Sequence, residues 1–343
     1  MKDITTAFKK ICFTSFVLML PLWLFSQNTI DKVDKNFTGI SAVDVEDSFC
    51  NISVSGEKRS DVHLTGEILS SKNYDIKIRY EKSGSKLKVW LDRPRSIRGN
   101  IKGHITLKVP MNTNIYIRNS SGNILVENTG RSEIKIVSSS GNVNAKNIDN
   151  GIEITTASGD IKIEDATGDV HTTSASGSLY ASGIKGNMYS VSSSGTQHIE
   201  GVKGNLKLTA SSGSVELNMI NGNVNARTSS GSLKADHVTG ELNAVSSSGS
   251  IRLTNIAGRL NLITTSGSQK GSGIKLTGDS SFKSSSGSVN MQLLNNSDEL
   301  SFELYSSSGS LSAKGNSGSK KLVITKGPVK IFGKTSSGSQ YYK

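Results

Sequence analysis

The sequence predicts an all-β fold: a parallel β-solenoid with 18-residue coils of two short strands, preceded by an irregular β lead-in segment. Three observations predict it. A Ser-Gly pair recurs through the chain, and from Gly141 to Gly267 its step is 18 residues, seven times running. A second glycine follows nine residues after six of these, at Gly168, Gly186, Gly204, Gly222, Gly240 and Gly258. Apolar residues alternate with polar ones between the glycines, as strands with one buried face require. A fixed internal period outranks any single motif, because it sets the architecture.

The 343 residues include 35 glycines but only 4 prolines, and aromatics make up only 6%. A core of large side chains cannot be built from this. Layers of small and β-branched residues can. A Ser/Gly-rich chain is otherwise read as a flexible linker, but a linker has no reason to alternate.

Three segments are expected: 1–27 as signal peptide, 28–120 as a β-rich N-terminal cap, and 121–343 as the solenoid. Lys2, Lys9 and Lys10 form a basic start, Ile11 to Phe25 an apolar run, and Ser26-Gln27 the expected cleavage neighbourhood. The apolar run falls short of the roughly 20 residues that span a bilayer. Its removal leaves a strongly basic chain with one cysteine, Cys50, so no internal disulfide is available and the sheets must hold the fold. No transmembrane helix is expected in that mature chain.

In the lead-in segment Asp75 to Tyr80 and Lys86 to Leu91 alternate with period two, as half-buried strands do. Lys82, Lys86, Lys88, Arg93, Arg95, Arg98 and Lys102 form a local basic cluster around Trp90. It reads either as a solvated strand face or as a site for an anionic partner such as an acidic glycan or another cell-surface component. Nucleic acid is not expected, since no set of stacking aromatics interleaves the charges.

Within the repeat the rule is apolar at glycine +2, +4 and +7 in one half-coil. The other half-coil reads apolar, apolar, small. Leu206, Val224, Leu242 and Leu260 are predicted to stack in one inward column, and Ser192, Ala210, Thr228, Ser246 and Thr264 in another. Inward Ser and Thr beside a corner can satisfy backbone groups that the turn leaves unpaired. About eleven coils spaced about 4.8 Å apart make a rod on the order of 50 Å long. After Gly267 the steps lengthen to 20, 22 and 29, and the extra residues are expected to loop out at Asn295 to Asp298 and at Lys314 to Lys321. The basic C-terminal end is expected to cap the rod or to approach an anionic surface.

Leu107-Lys108-Val109-Pro110-Met111-Asn112-Thr113-Asn114-Ile115-Tyr116-Ile117 followed by Ser121-Gly122-Asn123-Ile124-Leu125-Val126 resembles a bacterial family of β-strand-repeat proteins. Its members are labelled adhesins, and its domain has no assigned function. The resemblance covers roughly 40 to 343 and implies an exported β-solenoid. It supplies no functional residues. This chain departs from the commoner family pattern in carrying Ser where Asp often follows the glycine, with Asp160 an exception.

No catalytic, cofactor-binding or metal-binding residue is assigned. Asp160, Glu164, Asp165 and Asp169 are the best carboxylate cluster, and β-helix enzymes acting on polysaccharide use such clusters. His171, His198 and His237 are scattered over separate coils. The nine-residue calcium roll needs Gly-Gly-x-Gly-x-Asp, which the repeat lacks. The leading expectation is therefore a non-enzymatic structural or adhesion-type solenoid in the periplasm, at the cell surface or outside the cell. The alternatives are a carbohydrate-active enzyme built on that cluster and an envelope sensor or assembly accessory.

Overall fold

The computed structural model describes residues 28–97 and 99–343. The signal peptide expected over 1–27 and Arg98 of the basic cluster lie outside the described residues. The described chain is all-β: 33 strands in two sheets of 17 and 16 strands. No helix among the described residues is long and apolar enough to cross a membrane.

One coil shows the plan. Strand Met188–Ser192 belongs to the second sheet, the Ser-Ser-Gly corner turns the chain, strand Gln197–Lys203 belongs to the first sheet, and the next corner returns it to Leu206–Ala210. Each strand pairs in parallel with its equivalent one coil away. Met188, Leu206, Val224, Leu242 and Leu260 stand in one unbroken register. All five are buried, so the predicted inward column is present. Parallel sheets buried on their inner faces run the length of the rod as one core.

The inward Ser/Thr column does the work expected of it. Ser138 Oγ donates to the Gly141 carbonyl at 3.0 Å and accepts the Gly141 N–H at 3.2 Å. Ser174 repeats both bonds with Gly177 at 3.2 and 3.0 Å. Thr228 and Ser284 accept the N–H of Gly231 and Gly287. A buried hydroxyl thus satisfies backbone groups of the corner glycine, while the two residues before it bond to the neighbouring coil.

The odd spacing from +4 to +7 has a local cause. One residue of each of these strands lies in the left-handed region and drops out of the ladder: Asp165, Met219, His237 and Asn255 at φ 58°, 53°, 52° and 51° among others. The register passes from Lys146↔Glu164 directly to Ile148↔Ala166. This stacked bulge turns the +7 side chain inward, so that Ile148, Ala166, Ile184, Val202 and Ile220 are all buried.

Both ends depart from sequential stacking. Strand Asn51–Glu57 lies between Ile101–Pro110 and Ile124–Thr129. Strand Ala42–Asp47 lies between Lys86–Asp92 and Asn114–Asn119. The 42–57 coil is therefore stacked between two later coils, 86–110 and 114–129. Asp61–Ser70 and then Asn28–Thr38 add antiparallel strands beyond Ile101–Pro110.

The C-terminal end mirrors this device. Val329–Thr335 inserts between Ser280–Ser284 and Leu300–Ser306, and Gln340–Tyr342 between Val289–Leu293 and Leu311–Ala313. The 29-residue step is thus a coil laid down out of order. The loops expected near 295 and 314–321 take a different form. Asn295 is buried and bonded to both backbone groups of Leu276. Residues 316–318 and 321–324 are short antiparallel strands on the outermost coil. They cover an edge that would otherwise be open for pairing with another chain.

Candidate functional site

The four carboxylates of the best sequence cluster are separated and occupied by structural roles. Asp160 Oδ1 accepts the N–H of Ser178 at 2.8 Å, the rung of a corner ladder that runs from Asn123 through Asn142. Asp169, on the corner that leads into the other sheet, accepts the N–H of Asn187 at 2.9 Å. Glu164 pairs with Lys162 at 2.9 Å, and that ammonium holds its carboxyl below the usual range. Asp165 is the left-handed bulge residue. His171 stacks on Tyr189, His198 faces Glu216 at 3.3 Å, and His237 faces Asp236 at 2.9 Å. Among the described residues no group of three or more His, Cys, Asp or Glu is placed to hold a metal ion.

The basic cluster divides instead of acting as one. Lys82 donates to the Thr38 carbonyl, Lys86 pairs with Asp44 at 2.7 Å, and Lys88 pairs with Glu46 at 3.5 Å while lying over the Trp90 ring. Lys102 belongs to the other sheet. What remains is a groove of about 700 Å³ at the N-terminal end of the second sheet.

Strand register builds the groove. Trp90, Glu46, Arg118 and Val137 follow one another across four neighbouring strands on the outer face. The segment after Asp92 brings Arg93 and Arg95 to the rim. Arg93 is fixed by Nε donating to Ser48 Oγ at 2.9 Å and by Nη1 donating to the Pro94 carbonyl. Neither partner is a carboxylate. Arg95 and Arg118 are exposed and form no ion pair. Among the described residues, therefore, three guanidiniums without a salt-bridge partner flank a half-buried indole.

Two carboxylates also line the groove. Glu46 is engaged by Lys88. Asp47 is buried, and desolvation pushes its carboxyl above the usual range although its Oδ2 accepts the Cys50 N–H at 2.6 Å. Neither cancels the arginines. Reading along the chain missed Arg118, because it comes from a strand more than twenty residues after Arg95. The signal that finds it is its outward position in the Ile115-Tyr116-Ile117-Arg118 alternation, once the register is known.

Two parallel sheets with stacked hydroxyl-capped corners define an all-β solenoid. The sequence places it more narrowly. The Toastrack DUF4097 family model matches residues 40–244 and 222–338, and the chain belongs to that family. No curated protein matches it. Among solved structures, a candidate cell adhesion protein from Clostridium sporogenes is 12% identical, with 93% of this chain and 99% of that chain covered and a TM-score of 0.22. Candidate adhesins from Parabacteroides merdae and Bacteroides fragilis are each 12% identical over 91% of this chain, covering 96% and 97% of theirs, with TM-scores of 0.25 and 0.21.

Proposed function

We propose that this protein is an exported, non-enzymatic, adhesion-type solenoid that binds an anionic glycan of a cell envelope or extracellular surface in the Trp90 groove. The observation that carries the reading is the set of three guanidiniums, Arg93, Arg95 and Arg118, left without carboxylate partners beside an indole face. Planar guanidiniums bind carboxylate and sulfate oxygens through two parallel N–H donors. An indole supplies an apolar platform for a sugar ring. The enzymatic alternative on Asp160, Glu164, Asp165 and Asp169 is less well supported, because two of these oxygens already accept backbone N–H groups and Glu164 is held by Lys162.

The test is binding of the mature chain to polygalacturonate and to dextran sulfate, with uncharged dextran as reference. Binding should weaken as salt rises. Removing two charge-assisted contacts in an Arg95→Ala/Arg118→Ala variant should lower affinity by at least about tenfold. Retention of full affinity by that variant, or equal binding of uncharged dextran, would refute the assignment.

A further inference from the structure

A second groove of about 320 Å³ lies midway along the rod, on the outer face of the second sheet. One wall is Tyr189, whose side chain is 41% exposed. Its ring lies parallel to that of His171 on the preceding coil, with centroids 4.9 Å apart and 4° between planes. In the same column the residues on the following coils are Lys207, Asn225 and Asn243. The tyrosine is thus backed by an aromatic ring on one side, has Lys207 as its neighbour on the other, and lines the groove with its exposed part.

The floor of the groove is a ladder of amides. Asn205 Oδ1 accepts the N–H of Asn223 at 3.0 Å, and Asn223 Oδ1 accepts the N–H of Glu241 at 2.9 Å. These bonds fix each side chain by its oxygen and leave its NH₂ group without a protein partner. Asn225, also exposed, makes no side-chain bond among the described residues. Each free amide offers two donors in a known direction. Lys207 and Glu241 line the groove with one charge of each sign, Glu241 lying 3.9 Å from Arg259 and accepting from Asn243 Nδ2 at 2.9 Å, in contrast to the arginine groove near Trp90.

A corner ladder needs only the oxygens. The exposed ring and the spare amide donors beside it are not explained by folding. We infer that this groove is a subsite for an uncharged sugar. One pyranose ring packs its C–H face against the exposed part of Tyr189 beside Lys207, and its hydroxyls accept from the Asn205 and Asn223 amides. The Glu241 carboxylate accepts a hydrogen bond from a further hydroxyl. An aromatic face with a few fixed polar groups around it is the usual composition of a small-ligand site. This inference stands whether or not the Trp90 groove binds anions, since the two share no residue.

The experiment is saturation-transfer NMR and calorimetry of the mature chain with three neutral hexasaccharides, built of β-linked glucose, α-linked mannose and N-acetylglucosamine. At least one should bind with an affinity insensitive to salt. Tyr189→Ala should lower that affinity by about tenfold or more, the equivalent of losing one stacked ring. Tyr189→Phe, which keeps the ring, should restore it, and Asn223→Asp should weaken it. Arg95→Ala/Arg118→Ala should leave it unchanged. Tyr189 points away from the core, and the Phe variant guards against a folding defect. Failure of all three sugars to bind, or binding that survives Tyr189→Ala, would overturn the inference. A loss in the double arginine variant would place the sugar in the other groove and overturn it equally.

Discussion

Replacing Gly231 by alanine tests why the repeat carries glycine at all. The backbone at Gly231 is not left-handed, so conformational freedom is not what the position needs. The requirement is space. A Cβ built there lies 2.0 Å from the Gly213 carbonyl oxygen and 2.5 Å from its carbon, on the coil before. Reaching an ordinary contact means a displacement of more than about 1 Å in a stack whose coils sit about 4.8 Å apart. The corner is held by Ser229 N–H to Ala210 O at 3.1 Å and Ser230 N–H to Ser211 O at 2.9 Å. Such a shift carries both beyond hydrogen-bonding distance. Two bonds at a net of about 1 kcal/mol each, plus about 1–3 kcal/mol for overpacking, give a loss of roughly 3–5 kcal/mol. Urea denaturation followed by circular dichroism measures it, with Ser230→Ala as the exposed control, expected within about 0.5 kcal/mol of the parent. A Gly231→Ala protein as stable as that control would refute close approach as the reason for the glycine.

Other perturbations follow from the same geometry. Asp47 Oδ1 and Asn119 Oδ1 are buried without partners, and the two residues stand opposite each other in register. Asp47→Asn supplies the missing donor and should stabilise by about 1–2 kcal/mol at neutral pH. Because burial raises the Asp47 carboxyl, its favourable contribution is present below the unfolded-state value and lost as pH rises through the folded one. The advantage of the variant should therefore shrink as pH falls toward 4, and a constant difference across thermal melts at several pH values would contradict this. Cys50 is fully buried, and burial beside Asp47 pushes its thiol up, so maleimide should label it only in urea. Deleting 329–343 removes the inserted coil together with Tyr342, whose ring packs on Phe282 and Phe302 at 5.6 Å. Hydrogen exchange should then accelerate across 280–313 while 143–260 stays protected, since stability in a solenoid is passed between neighbours.

How much of this was legible in the sequence varies with the kind of regularity. The columns through Leu206 and through Ser192 followed from counting by 18, because equal spacing in a parallel stack becomes vertical alignment. The +7 position was visible as an apolar site, but its cause was not. Six of the left-handed bulge positions carry Asn, Asp, Met or His instead of glycine, so the usual marker of φ > 0 is missing. Gln197, Gln269 and Gln340 stand in an otherwise apolar column, yet all three are fully buried, with Nε2 donating across the interior to the Thr209, Lys283 and Tyr305 carbonyls. Side-chain type alone would have put them outside. The order of the coils at either end was not readable, because an inserted coil and a long loop both appear as a lengthened step.

The departures from sequential order bear directly on where binding chemistry can arise. Within the regular stack a residue faces its own equivalents, one coil above and one below, and a column of like residues offers a ligand the same weak surface everywhere. Distinct groups meet only where a column changes type or where the coil order is broken. Tyr189 is the first kind, a ring between an imidazole and the ammonium side chain of Lys207, with asparagines on the coils beyond. The Trp90 groove is the second. Glu46 lies between Trp90 and Arg118 only because the 42–57 coil is held between the 86–110 and 114–129 coils. In strictly sequential stacking the 86–92 strand would separate Glu46 from Arg118, and the four-residue column of indole, carboxylate, guanidinium and valine would not form in that order. The interlocked end therefore closes the rod against edge-to-edge growth and creates its most varied surface by the same rearrangement.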